Sequence, residues 1–127
     1  MPGAGMMQIG ELAERTELSL RTLRHYDEIG LLEPTGRSGG GFRLYTEGDY
    51  QRLMLIRRMK PLGYSLEQMG DLLRALEATQ SEHSSEAEAM QLLAEFLADA
   101  EQRRAKLEKQ LAAADEFIGL LGDRIRP

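Results

Sequence analysis

The most restrictive feature of this chain is a seam of side chains in its last third. Met90, Leu93, Leu97, Ala100, Arg104, Leu107, Leu111, Ala114, Ile118, Leu121 and Ile125 follow one another at spacings that alternate between 3 and 4 residues without interruption. An a/d repeat kept up for about five heptads is the pattern of a coiled coil. One helix cannot bury such a seam, so residues 89–127 predict a dimerisation helix and the chain a homodimer. Arg104 is the polar member. A lone polar seam residue fixes register, or lays its stem along the apolar face with its charge in water. Charge leaves the orientation open. Glu101, Glu108 and Asp115 at the e positions are all acidic, and a parallel pairing of Arg103 with Glu108 is mildly favourable.

At 127 residues there is room for one small domain besides this helix. The chain has no Val and no Trp, and is rich in Leu, Ala, Glu, Gln, Met and Arg, a mixture that favours helix over sheet. There is no Cys, which excludes disulfides, Cys-based zinc sites, iron–sulfur clusters and a thiol nucleophile within these residues. No apolar run reaches membrane-spanning length and no signal-peptide pattern opens the chain, so a soluble cytoplasmic protein without membrane contact is expected. The net charge of −5 is unevenly spread. Residues 15–60 carry nine Lys/Arg against six Asp/Glu, whereas residues 81–127 carry six against ten. The basic half is the candidate face for a polyanion.

That half contains the stretch Ser19-Leu-Arg-Thr-Leu-Arg-His-Tyr-Asp-Glu-Ile-Gly-Leu-Leu-Glu-Pro34. Ser19 is a good N-cap. Leu20 and Leu23 share one face and are expected to point inward. Arg21, Thr22, Arg24 and His25 fall largely on the other faces, with Tyr26 near the end. Gly30 stops the helix and Pro34 prevents its continuation. The outline suits the major groove of DNA, but an ordinary amphipathic helix with a solvated basic face fits it equally.

The neighbours separate these readings. Ile9, Leu12 and Ala13 predict a first helix of about two turns, and Thr16-Glu17-Leu18 turns the chain into Ser19, a helix-turn-helix arrangement. Glu17 stands where such a turn usually carries Gly, so a left-handed conformation there costs roughly 1 kcal/mol. Residues 35–45 form a two-stranded hairpin, or wing, with a Gly tip at 39–41 and a strand through Phe42-Arg43-Leu44-Tyr45. A linker is one alternative. A phosphate loop is another, but Gly-Lys-Ser/Thr is missing. Thr46 caps a third helix with Asp49 in the capping-box position, Leu53, Ile56 and Met59 form its buried stripe, and Pro61 shortens or bends its last turn. Ser65 and Gln68 make a full capping box for a fourth helix, with Leu66, Met69, Leu72, Leu73 and Leu76 facing inward. The expected organisation is a leader at 1–6, a DNA-binding domain at 7–78, a polar linker at 79–88 and the coiled-coil helix at 89–127.

This order of elements resembles the MerR family of transcriptional regulators. The resemblance rests on Ile9-Gly-Glu-Leu-Ala13, Thr22-Leu-Arg-His-Tyr-Asp-Glu-Ile-Gly-Leu-Leu-Glu-Pro34, Gly41-Phe-Arg-Leu-Tyr45 and Leu62-Gly-Tyr-Ser-Leu66. It implies a mainly α fold: a winged helix-turn-helix domain with a small β-hairpin wing, followed by a long helix that pairs antiparallel in the dimer. It further implies binding to a pseudo-palindromic promoter operator, DNA distortion and contact with RNA polymerase. On this match Ser19, Arg21, Thr22, Arg24, His25 and Tyr26 sit in or beside the major groove, Arg37, Arg43 and Tyr45 are wing contacts, and Lys60 is a phosphate contact. His25 stands where the family often carries Tyr; imidazole can donate to a phosphate, and a merely exposed His fits as well.

The effector end departs from the better-known members. Metal and redox sensors of the family use Cys, absent here, and drug sensors append a further domain, whereas this chain runs six residues past Leu121. A short form without a separate effector domain is expected, with no cofactor and no metal. His83 with Glu82, Glu86 and Glu88 is a poor zinc site and reads better as a solvated linker. Two other classes fit the residues less well. A coiled-coil adaptor accounts for the last third but not for the wing. An enzyme lacks a nucleophile–base pair, a convergent carboxylate site and a phosphate loop. Among regulators, an effector-independent repressor acting by occlusion is the alternative to one acting by DNA distortion.

Overall fold

The computed structural model describes residues 5–80 and 86–126. Its elements are β1 (Met7–Gln8), α1 (Ile9–Thr16), α2 (Leu20–Glu28), β2 (Gly36–Arg37), β3 (Arg43–Tyr45), α3 (Glu47–Met59), α4 (Leu66–Gln80) and α5 (Glu86–Ile125). A 3₁₀ turn, Lys60–Leu62, separates α3 from α4, because Pro61 cannot continue the α3 ladder and Gly63 takes a positive φ of 85°. The mainly helical architecture with a small wing is the one expected from the sequence.

The wing is wider than a hairpin. β1 pairs antiparallel with β3, which also pairs with β2, giving the order β1-β3-β2. Met7 lies opposite Tyr45, and Arg37 opposite Arg43. A two-residue strand has no alternation to read, so only the folded chain reveals it. Ser38 and Phe42 close the hairpin through an N–H to carbonyl bond of 2.9 Å.

The chain divides into two units, residues up to 74 and residues from 75 on, within α4. In the first, Leu12, Leu23, Tyr45, Leu53, Ile56 and Met69 are almost wholly buried. Each such Leu, Ile or Met side chain contributes about 1.5–3 kcal/mol relative to exposure. Two residues expected to face inward do not. Leu20 and Leu66 are 40 % and 39 % exposed. Each directly follows a capping Ser at the start of its helix, where side chains tilt toward the N-terminus and no preceding turn covers them. The capping boxes form as expected. Thr46 accepts from Asp49 N–H at 3.2 Å while Asp49 accepts from Thr46 N–H at 2.9 Å, and Ser65 and Gln68 do the same at 3.1 and 2.9 Å.

In the second unit α5 runs for 40 residues, about 60 Å at 1.5 Å per residue. Its seam stands largely exposed on the single chain, including Met90, Leu97, Leu107, Leu111, Ile118, Leu121 and Ile125, whereas Leu93 and Ala100 are half-buried. Arg104 pairs along its own helix with Glu108 at 2.6 Å. The expected linker at 79–88 is shorter than its composition suggested. α4 continues to Gln80 and α5 begins at Glu86, because Ala, Gln and Glu are good helix formers whatever their polarity. Residues 81–85, with His83, lie outside the described residues, as do residues 1–4 of the expected leader.

Candidate nucleic-acid interface

The helix-turn-helix is built from short-range bonds. Buried Thr16 donates its hydroxyl to the Leu12 carbonyl at 2.8 Å and accepts from Leu18 N–H at 3.3 Å, which ends α1 and starts the turn. Glu17 then takes the left-handed conformation, φ 60° and ψ 23°. Arg57 on α3 donates to its carboxylate at 2.6 Å. Ser19 caps α2, accepting from Thr22 N–H at 3.0 Å, and the Ser19 and Thr22 hydroxyls share a bond of 2.8 Å. At the far end Gly30, with φ 75°, allows Leu31 N–H to reach the Tyr26 carbonyl and its own N–H to reach that of Asp27. These two bonds are those of a Schellman stop.

α2 is thereby held with a defined outward face. Arg21, Arg24 and His25 are exposed on it, Ser19 is exposed at its start and Thr22 is half-buried. Tyr26 departs from the sequence reading. It is 4 % exposed, and burial raises its phenol pKa. Its ring packs in the core one turn beyond Leu23, so it supports the helix from behind.

The wing arginines are tied down. Arg43 donates through Nε to Asp27 Oδ2 at 2.7 Å, and Arg37 through Nη2 to the same oxygen at 3.4 Å. Arg37 Nη1 also reaches the Gly41 carbonyl at 3.3 Å. The hydrogen bond to Asp27 moves the Arg43 pKa further above its ordinary value. Tyr45, expected as a wing contact, is 1 % exposed. It lies on the inner face of β3, where strand alternation turns it away from Leu44 and toward the core.

Arg21, His25 and Lys60 come together. With Thr22 and Ser65 they rim a pocket of about 510 Å3 whose remaining lining includes Tyr26, Tyr64, Leu66 and Met69. Lys60 reaches it because the 3₁₀ turn swings the chain out of α3 beside the start of α4. The juxtaposition joins residues far apart in sequence. Sequence reasoning missed Asp27 as the anchor of the wing arginines and Ser65 as part of this pocket; the Ser65 capping signal was legible, its place beside α2 was not. Among the described residues no group of three or more His, Cys, Asp or Glu side chains could hold a metal ion, and no helix is long and apolar enough to cross a membrane.

A capped helix with a cationic outer face, flanked by a three-stranded wing carrying two arginines, defines a winged helix-turn-helix DNA-binding module. The family model described as MerR HTH family regulatory protein matches residues 7–76, and that described as MerR, DNA binding matches residues 50–115. The chain is 41 % identical over 103 residues to the HTH-type transcriptional regulator ZntR of Escherichia coli K12, covering 81 % of this chain and 72 % of that protein. HiNmlR, a MerR family regulator lacking the sensor domain, solved bound to promoter DNA, has a TM-score of 0.74 at 25 % identity, over 93 % of this chain and 91 % of that one. A MerR family regulator from Bacillus cereus has a TM-score of 0.65 at 27 % identity, over 93 % and 78 % of the two chains. The chain belongs to the MerR family of DNA-binding transcriptional regulators.

Proposed function

We propose that the chain acts as a homodimer joined through an antiparallel pairing of α5, placing α2 of each protomer in successive major grooves of a pseudo-palindromic promoter operator. The observation that carries this reading is the shared orientation of α2: Ser19 and the Schellman stop fix its ends, Leu23 and Tyr26 anchor its back, and Arg21, Arg24 and His25 are left facing out. Arg24 reads bases. Arg21, His25 and Lys60 grip one stretch of phosphate and Arg43 grips another, while Arg37 braces the wing tip through Asp27 and the Gly41 carbonyl. Tyr45 and Tyr26 hold these groups from the core. The role is regulatory rather than catalytic, and it is exercised in the cytoplasm on DNA and RNA polymerase.

Two recognition helices held by a stiff coiled coil have a fixed separation. DNA whose half-sites are out of phase with that separation bends or twists to meet both, at a cost of about 1–6 kcal/mol offset by contacts on both arms. Spacer length then controls the promoter. Relatives include proteins named heavy metal-dependent transcription regulators. Without Cys, these 127 residues offer no thiolate for a soft metal or an oxidant, so any such trigger acts elsewhere.

The test is binding by fluorescence anisotropy to a duplex selected by the protein from a random pool and to a scrambled duplex. Arg24→Ala weakens the first and relaxes base preference. Lys60→Ala weakens both and lowers the salt slope by about 1. A Lys60→Ala protein with altered base preference and an unchanged salt slope overturns the assignment. Transcription from promoters of graded spacer length tests distortion: equal repression at every length, with no bend in circular-permutation gels, leaves occlusion as the mechanism.

A further inference from the structure

Asp27 is out of place on a surface that binds DNA. It lies in the last turn of α2, where the helix dipole disfavours a negative charge. It also adds that charge beside the face that meets phosphates. Its neighbours account for it. Arg37 and Arg43 are directly opposed in the antiparallel register of β2 and β3, and like charges so placed repel. The one Asp27 oxygen accepts from both. Side-chain exposure is 13 % for Asp27 and 26 % for Arg43, so the pair is less screened by salt than a fully exposed one.

We propose that Asp27 is a positioning residue for the wing, locking Arg43 by its Nε so that both terminal NH2 groups face a DNA phosphate. The two arginines divide the work. Arg37 uses both terminal nitrogens internally, on Asp27 and on the Gly41 carbonyl. Arg43 is held to Asp27 through Nε at 2.7 Å, the nitrogen nearest its stem. A guanidinium carries five donors in a fixed fork, so anchoring the Nε edge orients the rest. α2 thus sets the wing, and base contact and phosphate contact on one arm share a mechanical link. The inference rests on the reading of Arg43 as a phosphate contact.

The sign of one substitution separates positioning from plain electrostatics. Removing a negative charge beside DNA should tighten binding if charge alone matters. Under the proposal Asp27→Asn weakens it, by roughly twofold to fivefold, the range a partly exposed ion pair supports. The measurement is anisotropy with the selected and scrambled duplexes, for the parent, Asp27→Asn, Asp27→Glu, Arg43→Ala and the Asp27→Asn/Arg43→Ala double variant. Thermal unfolding fixes a temperature at which all are folded. Asp27→Glu should recover most of the loss, and Asp27→Asn should add less than about twofold once Arg43 is gone. If Arg43→Ala weakens binding but Asp27→Asn leaves it unchanged or tightens it, or costs the same with and without Arg43, positioning is overturned alone. If Arg43→Ala binds as the parent does, the contact reading and the positioning role fall together.

Discussion

Glu17 and Arg57 meet across 40 residues of chain, the Arg57 guanidinium donating to the Glu17 carboxylate at 2.6 Å. Glu17 is the one non-glycine residue with positive φ among the described residues. The ion pair thus sits on a backbone conformation that L side chains disfavour by about 1–2 kcal/mol, and it returns about 0–1 kcal/mol, since both partners are largely exposed. Glu17→Gly is therefore expected to be neutral to stabilising by about 1 kcal/mol, and Glu17→Ala, which keeps the strain and loses the pair, to destabilise. Urea unfolding of the two variants decides. A Gly variant less stable than the parent would show that the pair outweighs the strain.

Asp49 should be among the most sensitive polar positions. Its buried carboxylate accepts from Thr46 N–H, from the Thr35 hydroxyl at 2.6 Å and from Arg52 at 3.4 Å. Asp49→Ala breaks the reciprocal half of the α3 capping box and strands these donors, costing about 2–4 kcal/mol. Thr35→Ala removes one of them and costs about 1 kcal/mol. Equal costs in denaturant unfolding would mean that the Thr35 bond dominates the site.

Tyr45→Phe distinguishes a core tyrosine from a contact residue. Its buried hydroxyl has no hydrogen-bond partner among the described residues. Removing it should leave DNA affinity unchanged and stabilise the fold by up to about 1 kcal/mol. Burial also raises the phenol pKa above the ordinary 10.0. The folded state holds the neutral form, so this contribution is full below the unfolded value and is lost as pH rises through the folded one. The Phe variant should resist alkaline unfolding better than the parent. Loss of operator affinity without loss of stability would return Tyr45 to the interface.

Along α5, Leu111→Asp should dissociate the dimer, because a charge in the seam must be desolvated on pairing. Arg104→Leu should tighten it, at the risk of further oligomers, since a polar seam residue restricts partner number at some cost in stability. Sedimentation across a concentration series measures both. An Arg104→Leu chain that dissociates more readily than the parent would mean that Arg104 makes a bond across the dimer.

Features made by neighbours in the chain were legible without coordinates. Ser19, Thr46 and Ser65 are three residues from the N–H groups they cap, Gly30 sits where its backbone must turn left-handed, and the seam repeats at a period one helix imposes. The helix-turn-helix, the wing and the long helix follow from such local rules, and with them the family. Residue type alone could not say which way Tyr26 and Tyr45 point, since tyrosine serves equally in a core and at an interface. Nor could it show that Leu20 and Leu66, apolar and at helical spacing, stay partly exposed, or that Met7–Gln8 adds a third strand. The tertiary structure decided these, and it assembled the candidate site: Asp27 meets Arg37 and Arg43, and Arg21 and His25 line one pocket with Lys60, across distant segments. The physical reason is range. Capping and periodicity are settled within a turn or two of backbone, whereas burial and ion pairing depend on which segments the packed core brings side by side.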